Sequence, residues 1–105
     1  MWEPILVTDW APPGSRVLAR ISDARAEQFW DPAHLVAQEF AREMRSDQSL
    51  PEPDCCIGRG FFWDMVALFP PQVRWSQTVP PPLLFNGPVV RVAEDFEKQL
   101  RGVLP

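Results

Sequence analysis

Proline is the feature of this sequence that most limits its fold, because 13 of the 105 residues are proline. Proline has a fixed φ and no backbone N–H to donate, so it stands in the first turn of a helix, at a sheet edge or in a connection. Globular proteins average about 5% proline, and the excess predicts several rigid connections between short elements. The proline content therefore disfavours an all-helical bundle.

Length and composition indicate one folded domain over residues 1–105. The chain is far shorter than the roughly 250 residues at which a core divides, and 46% apolar with 23% charged residues is typical of a globular domain. Fourteen acidic and ten basic side chains give a net charge of −4, which argues against a nucleic-acid or membrane-surface partner. No apolar run approaches the roughly 18 residues of a membrane span, and no secretory signal pattern is visible. We therefore expect a cytoplasmic protein.

The first third of the chain contains three predicted elements. A continuous apolar run at residues 5–7 predicts a strand over residues 2–8 that is buried on both faces. Ser15 is placed to cap a short helix whose apolar side chains follow at helical spacing. Residues 25–30 end in two aromatic side chains, which favours a second short strand.

A second helix has the clearest pattern. Asp31 can accept an N–H as the N-cap, and Pro32 suits the first helical position because it leaves no N–H unpaired. From there apolar side chains recur with the 3.6-residue period as far as Ser46, while Glu39 and Glu43 fall on a face that we expect to be solvated. The apolar positions are Val36, Ala37, Phe40, Ala41 and Met44.

The middle of the chain predicts a polar loop and a central strand. Residues 47–54 are polar and contain two prolines. Apolar side chains then occupy both faces of residues 61–69, which predicts a well-covered strand interrupted by Asp64. A buried carboxylate needs a partner, and Arg59, Arg74 or a helix N-terminus could supply one. We expect Asp64 to have a structural pairing role rather than a catalytic one.

The last third predicts a hairpin and a helix. An apolar run at residues 83–85 precedes Asn86-Gly87, which is the strongest short hairpin signal and would join the run to an antiparallel strand at residues 89–90. An amphipathic helix follows, with two pairs of Glu and basic residues spaced four apart. Gly102 would end this helix.

This order of elements resembles that of a thioredoxin-like α/β sandwich. Residues 82–90 (PLLFNGPVV), followed by an amphipathic helix, look like the proline, strand, Asn-Gly hairpin and last helix that close a thioredoxin domain. Residues 2–9 (WEPILVTD), 29–32 (FWDP) and 63–71 (WDMVALFPP) resemble stretches of bacterial thioredoxin-like proteins of uncertain function. The resemblance implies a central mixed sheet with flanking helices, and a cis proline within residues 80–82.

The sequence departs from thioredoxins at the redox centre. Thioredoxins act through Cys-x-x-Cys at the start of their first helix, where the dipole lowers a thiol pKa, and no such motif is present. In longer thioredoxin-like proteins residues 2–9 look like the second strand, which implies a domain truncated at its first strand and helix. The alternative alignment takes residues 2–8 as the first strand, with residues 10–15 in place of the active-site loop. Under either alignment we assign no catalytic residue and no cofactor.

The two cysteines, Cys55 and Cys56, are adjacent. Disulfide partners usually lie about 4.4–6.8 Å apart at Cα, whereas neighbours across a trans peptide lie about 3.8 Å apart, so free thiols are favoured over a redox pair. Two thiolates could bind a soft metal ion, with His34 as the single imidazole, although zinc prefers four ligands. We favour small, semi-buried residues at a loop-to-strand junction for the cysteines over a thiol or metal role, and a neutral, partly exposed first-turn residue over a general base for His34.

Aromatic residues suggest an interface. The chain has five tryptophans and seven phenylalanines, and Trp2, Trp10 and Trp75 lie beside prolines or in loops. Aromatic side chains are enriched at interfaces, although these three could instead shield the sheet. We predict a non-catalytic domain that acts by protein association, with a homodimer formed at the uncovered strand over residues 2–8. The alternative function is a thiol-based redox or soft-metal protein that uses Cys55 and Cys56.

Overall fold

The computed structural model describes residues 1–46, 53, 55–58 and 60–105, and these residues form a mixed α/β fold, as predicted. In chain order the elements are α1 (Ser15–Leu18), α2 (Leu35–Ser46), β1 (Ile57–Gly58), β2 (Phe61–Phe62), β3 (Val66–Leu68), β4 (Leu84–Asn86) and α3 (Val89–Val103). The polar loop predicted over residues 47–54 lies mostly outside the described residues. Across the described part of the chain, no helix combines the length and apolarity needed to cross a membrane.

The strands form two separate antiparallel pairs. Strand β1 pairs with β2, and β3 pairs with β4 in a register that sets Ala67 opposite Phe85. Parallel pairing among the described residues is limited to one isolated bridge between Trp2 and Trp30. The central mixed sheet that the resemblance implied is therefore not formed by the described residues, because the expected N-terminal strands reduce to this single bridge.

The strand predicted over residues 2–8 is wrong. Only Trp2 pairs with a neighbouring segment: its N–H donates to the Phe29 carbonyl at 2.7 Å, and its carbonyl accepts the Asp31 N–H at 2.8 Å. The chain then turns, because the Asp9 carboxylate accepts the N–H groups of Ile5 at 3.0 Å and Leu6 at 2.7 Å. A local side-chain acceptor has replaced a strand ladder, and the side chains at residues 5–7 are exposed.

The short helix and the second strand predicted in the N-terminal third also differ from expectation. Helix α1 forms as one turn, but Gly14 rather than Ser15 is its N-cap, and the Gly14 carbonyl accepts the N–H groups of Val17 and Leu18. Within residues 25–30 only Trp30 takes part in β pairing.

Asp31 organises the start of α2, as predicted, but the helix begins three residues later than expected. The buried Asp31 carboxylate accepts the N–H groups of Leu35, Val36 and Ala37 at 2.8, 2.9 and 3.1 Å. His34 has a φ of +57°, in the left-handed region, so helical geometry cannot start at Pro32. The helix ends at Ser46, where the sequence predicted its end.

Helix α2 packs on the two sheets to form the core. Ala41 and Met44 lie against Phe62, Phe85 and Val79, all buried. The partly buried side chains that pack around this cluster are Phe40, Ile57, Met65, Ala67 and Phe69. A solvated face for both Glu39 and Glu43 is wrong: exposed Glu39 pairs with Arg42, but buried Glu43 accepts the N–H of Val79. The carboxylate thus satisfies a backbone donor that no strand partner reaches.

Two corrections concern the sheet that supports α3. The strand predicted over residues 61–69 is divided into β2 and β3, because Asp64 between them has a φ of +50°. The hairpin predicted at Asn86-Gly87 does not form: β4 returns against β3, a cis Gly87–Pro88 bond follows, and α3 starts at Val89. The cis proline is therefore at residue 88 and not within residues 80–82.

Helix α3 confirms the amphipathic pattern with one change at its end. The helix continues through Gly102 to Val103, so glycine does not stop it. Of the two ion pairs suggested by spacing, Glu97 and Arg101 lie at 2.6 Å. Val92 is the buried residue of α3, and the helix contacts both β3 and β4.

Candidate association surface

An apolar groove of about 670 Å³ lies between the N-terminal residues, α2, the two sheets and the start of α3. We use the name apolar groove for this surface. Its lining side chains are predominantly apolar, and they include Trp2, Val36, Phe40, Phe69, Trp75 and Val89. The groove is open to solvent on one side and rests on the core residues Phe62 and Phe85 on the other.

Phe40 positions the aromatic rings that form the groove. Its ring centroid lies 5.2 Å from Phe85, 5.9 Å from Phe62 and 6.4 Å from Phe69, all in edge-to-face geometry. The Trp75 ring lies 5.8 Å from Phe40 at a tilt of 50°. Such pairs contribute about 0.5–1.5 kcal/mol each beyond the area they bury, so the rings stabilise one another in the groove wall. The wall depends on α2, because the helical period of α2 turns Phe40 towards both sheets.

The rim of the groove exposes large apolar side chains. Val36, Trp75 and Val89 are 46%, 44% and 40% exposed, and all three line the groove. Isolated exposed apolar residues are ordinary, but contiguous ones mark an interaction surface. The predicted interface residues divide accordingly: Trp2 and Trp75 meet at this groove, whereas Trp10 lies in an exposed loop outside its lining.

Trp2 is fixed in the groove wall by its indole N–H, which donates to Gln28 Oε1 at 3.0 Å. Gln28 in turn donates from Nε2 to the Leu18 carbonyl at 2.9 Å. This chain of hydrogen bonds links the N-terminus to α1. The sequence did not indicate it, because Trp2 and Gln28 are 26 residues apart and no motif connects them.

Glu3, which lines the groove, is in contact with His34, which does not. His34 Nδ1 lies 2.9 Å from Glu3 Oε2, and the His34 ring stacks on Phe61 with centroids 3.9 Å apart. Both side chains are largely buried. His34 immediately precedes α2 rather than occupying its first turn, and its partner is 31 residues away, so sequence spacing could not reveal the pair.

Asp64 is exposed at the groove edge, so its predicted burial is wrong. Its carbonyl oxygen accepts the Val89 N–H at 3.2 Å, with Oδ1 of the same residue 3.4 Å from that nitrogen. Val89 is the first residue of α3. Of the three partners considered for Asp64, the helix N-terminus is therefore the one observed, while Arg59 lies outside the described residues.

Cys55 and Cys56 form a vicinal disulfide, with Cα atoms 3.7 Å apart. The prediction of free thiols is thus wrong, and the paired state that was the alternative is observed. Both residues are half-buried just before β1, and the Cys56 carbonyl accepts the Trp63 N–H at 3.1 Å. Within the described ranges no three His, Cys, Asp or Glu side chains lie together as possible metal ligands, so Cys55, Cys56 and His34 are not assembled into one metal site.

The chain exposes more surface than its mass predicts. A folded monomer of 12.0 kDa is expected to expose about 6000 Å², whereas this chain exposes 8217 Å². A comparison with family models, curated proteins and solved structures finds no match for this chain.

Proposed function

We propose that this chain acts by protein association rather than by catalysis, and that its partner is a second copy covering the apolar groove. The apolar groove and its exposed rim are the observation that carries the proposal. A thioredoxin-like origin of the domain and a cytoplasmic location belong to the same proposal and rest on the sequence motifs. The dimer surface moves from the predicted strand at residues 2–8 to the groove, since those residues do not form a strand.

The exposed apolar side chains favour a second copy as the occupant. Outside the groove the chain also exposes Leu6, Val7 and Trp10, so a second copy carries apolar surface of the kind that covers such a groove. A two-fold pair is also the commonest assembly of soluble proteins.

The charges around the groove are compatible with burial. Its two lining carboxylates are Glu3 and Asp64. Glu3 faces His34, and Asp64 faces the first N–H of α3. Burying a carboxylate without a hydrogen-bond partner would be unfavourable. Glu3 Oε2 lies 2.9 Å from His34 Nδ1, and Asp64 lies at the exposed edge of the groove, where water reaches it.

Two matched valine substitutions test the proposal. Val36 and Val90 are each the second residue of a helix, α2 and α3, but only Val36 lines the groove. We expect light scattering to give about twice 12.0 kDa for the unmodified chain and for Val90→Lys, and about 12.0 kDa for Val36→Lys at micromolar concentration. A monomeric unmodified chain, or a dimeric Val36→Lys variant, would contradict the proposal.

A second candidate function is thiol-disulfide exchange at Cys55–Cys56, favoured by the observed pairing. Disulfides in cytosolic proteins are usually transient, so a cytoplasmic chain with this pair would use it for exchange. An external dithiol would attack one sulphur and then form its own disulfide, and two electrons and two protons would pass to Cys55 and Cys56. Alkylation with mass detection should add no group before treatment with dithiothreitol and two groups after it. Two alkylated thiols before reduction would rule out this candidate.

A further inference from the structure

We infer that the exposed turn at residues 5–10 is the part of the second copy that enters the apolar groove. We call this segment the apolar turn. The inference rests on the proposed function and names the surface that faces the groove across the dimer. It concerns residues that line no part of the groove within their own chain, since the N-terminal lining ends at Glu3.

The apolar turn holds the most exposed large apolar side chains of the described residues. Val7 is 97% exposed, Trp10 86% and Leu6 66%. Outside the turn, Val90 and Leu35 reach comparable exposure, but each has only one exposed apolar neighbour in sequence, Val89 and Val36, and both of those neighbours line the groove itself. Three such side chains within five residues form a convex apolar projection, which a monomer would leave in water at a free-energy cost.

The apolar turn is ordered before any partner binds. The Asp9 carboxylate accepts the N–H groups of Ile5 and Leu6, and the Asp9 N–H donates to the Leu6 carbonyl at 2.9 Å. At the base of the turn, Trp2 is held between Phe29 and Asp31. A preformed projection loses little conformational entropy on binding.

The positions of the turn and the groove suit a reciprocal contact. Trp2 forms part of the groove wall, and the apolar turn begins three residues later. In a two-fold dimer each surface meets its complement on the other chain, so one projection and one groove per chain give two equivalent contacts. The groove volume of about 670 Å³ is in the range of pockets that enclose several apolar groups, roughly 300–1000 Å³.

A charge-pair experiment tests the contact directly. Val7→Asp and Val36→Lys each place a charge in an apolar contact. Each variant alone should therefore have a dimer dissociation constant at least tenfold larger than that of the unmodified chain. In a 1:1 mixture the two introduced charges would face one another in one contact, while the second contact would stay unmodified. The mixture should therefore recover dimers, measured by light scattering. Val36→Asp is the matched control, because a mixture of Val36→Asp with Val7→Asp would place two like charges in the same contact and should recover fewer dimers than the mixture with Val36→Lys.

The possible outcomes separate this inference from the proposed function. If Val36→Lys is monomeric but Val7→Asp remains dimeric, the groove binds a second copy through another surface, and the inference is wrong. The same holds if both variants are monomeric and their mixture is too. If the unmodified chain is monomeric, the proposed function itself fails.

Discussion

Two apolar runs of this chain, Ile5-Leu6-Val7 and Leu83-Leu84-Phe85, each follow a proline and have the same length, yet only the second contributes to a strand. In the second run the backbone meets β3, and Leu84 and Phe85 are buried. In the first run the Asp9 carboxylate accepts the N–H groups, and the side chains remain exposed. An apolar run therefore forms a strand where a neighbouring strand supplies its backbone hydrogen-bond partners, and not where a nearby side chain accepts its N–H groups.

The largest expected difference between the two runs is in their contribution to stability. Phe85→Ala removes a buried ring that contacts Phe40 and Phe62, and we expect a loss of about 3–5 kcal/mol. In the Val36→Lys background, which we expect to be monomeric, Val7→Ala in the exposed run should change the free energy of unfolding by less than about 0.5 kcal/mol. Urea unfolding at one fixed protein concentration measures both. Similar losses for the two variants would mean that residues 5–7 are buried in the folded chain.

The end of the buried run tolerates no added atom. A Cβ at Gly87 would lie 2.6 Å from the Asp64 carbonyl oxygen and 2.6 Å from Met65 Sδ. We expect Gly87→Ala to destabilise the fold by about 2–3 kcal/mol through overpacking. A Cβ at Gly102 in α3 would instead point into open space, so the matched Gly102→Ala variant should gain up to about 1 kcal/mol. Thermal unfolding of the two variants should shift in opposite directions, and a neutral Gly87→Ala would contradict the packing at Asp64.

Asp31 and Asp23 allow a buried and an exposed carboxylate acceptor to be compared directly. Asp31→Ala leaves three N–H groups at the start of α2 without their acceptor, and we expect a loss of about 2 kcal/mol. Asp23→Ala removes an exposed carboxylate that binds Arg25, and its effect should be under about 0.5 kcal/mol. Chemical denaturation compares the two variants. Equal effects would mean that the Asp31 cap contributes little to α2.

The smallest expected effect is the pH dependence of the apolar turn. The backbone N–H groups of Leu6 and Ile5 donate to the Asp9 carboxylate and lower its pKa below the ordinary value of 3.8, and Leu6 has the larger effect. A lowered folded-state pKa means that these bonds are complete above the unfolded-state pKa and are lost as the pH falls through the folded-state value. The Leu6 amide signal in an NMR titration should move with a midpoint below 3.8, and should not show this transition in Asp9→Asn. A midpoint at or above 3.8 would show that the carboxylate does not hold the turn.

Local patterns predicted the elements whose hydrogen-bond partners lie close in sequence and the helices whose apolar period extends over several turns. The apolar period of α2, the acceptor role of Asp31, and the amphipathic α3 followed from such patterns. The strand at residues 84–86 was also expected, but its partner was not, since pairing with β3 depends on the fold and not on Asn86-Gly87.

The remaining features depend on contacts that no local pattern contains. The break between β2 and β3 depends on the positive φ of Asp64 and its contact with Val89, 25 residues away. The contacts of Trp2 with Gln28 and of Glu3 with His34 span 26 and 31 residues. Two walls of the groove therefore come from pairings that only the folded chain brings together.

The most direct test of this account is the mass of the unmodified chain in solution. Sedimentation equilibrium over a dilution from roughly 100 to 1 µM, in which a reversible dimer has a concentration-dependent mass, would measure it without any substitution. If a second copy covers the apolar groove, the mass should be about twice 12.0 kDa at the upper concentrations and should fall only on dilution. A constant mass of 12.0 kDa throughout would contradict the central claim, because the groove and the apolar turn would then face solvent.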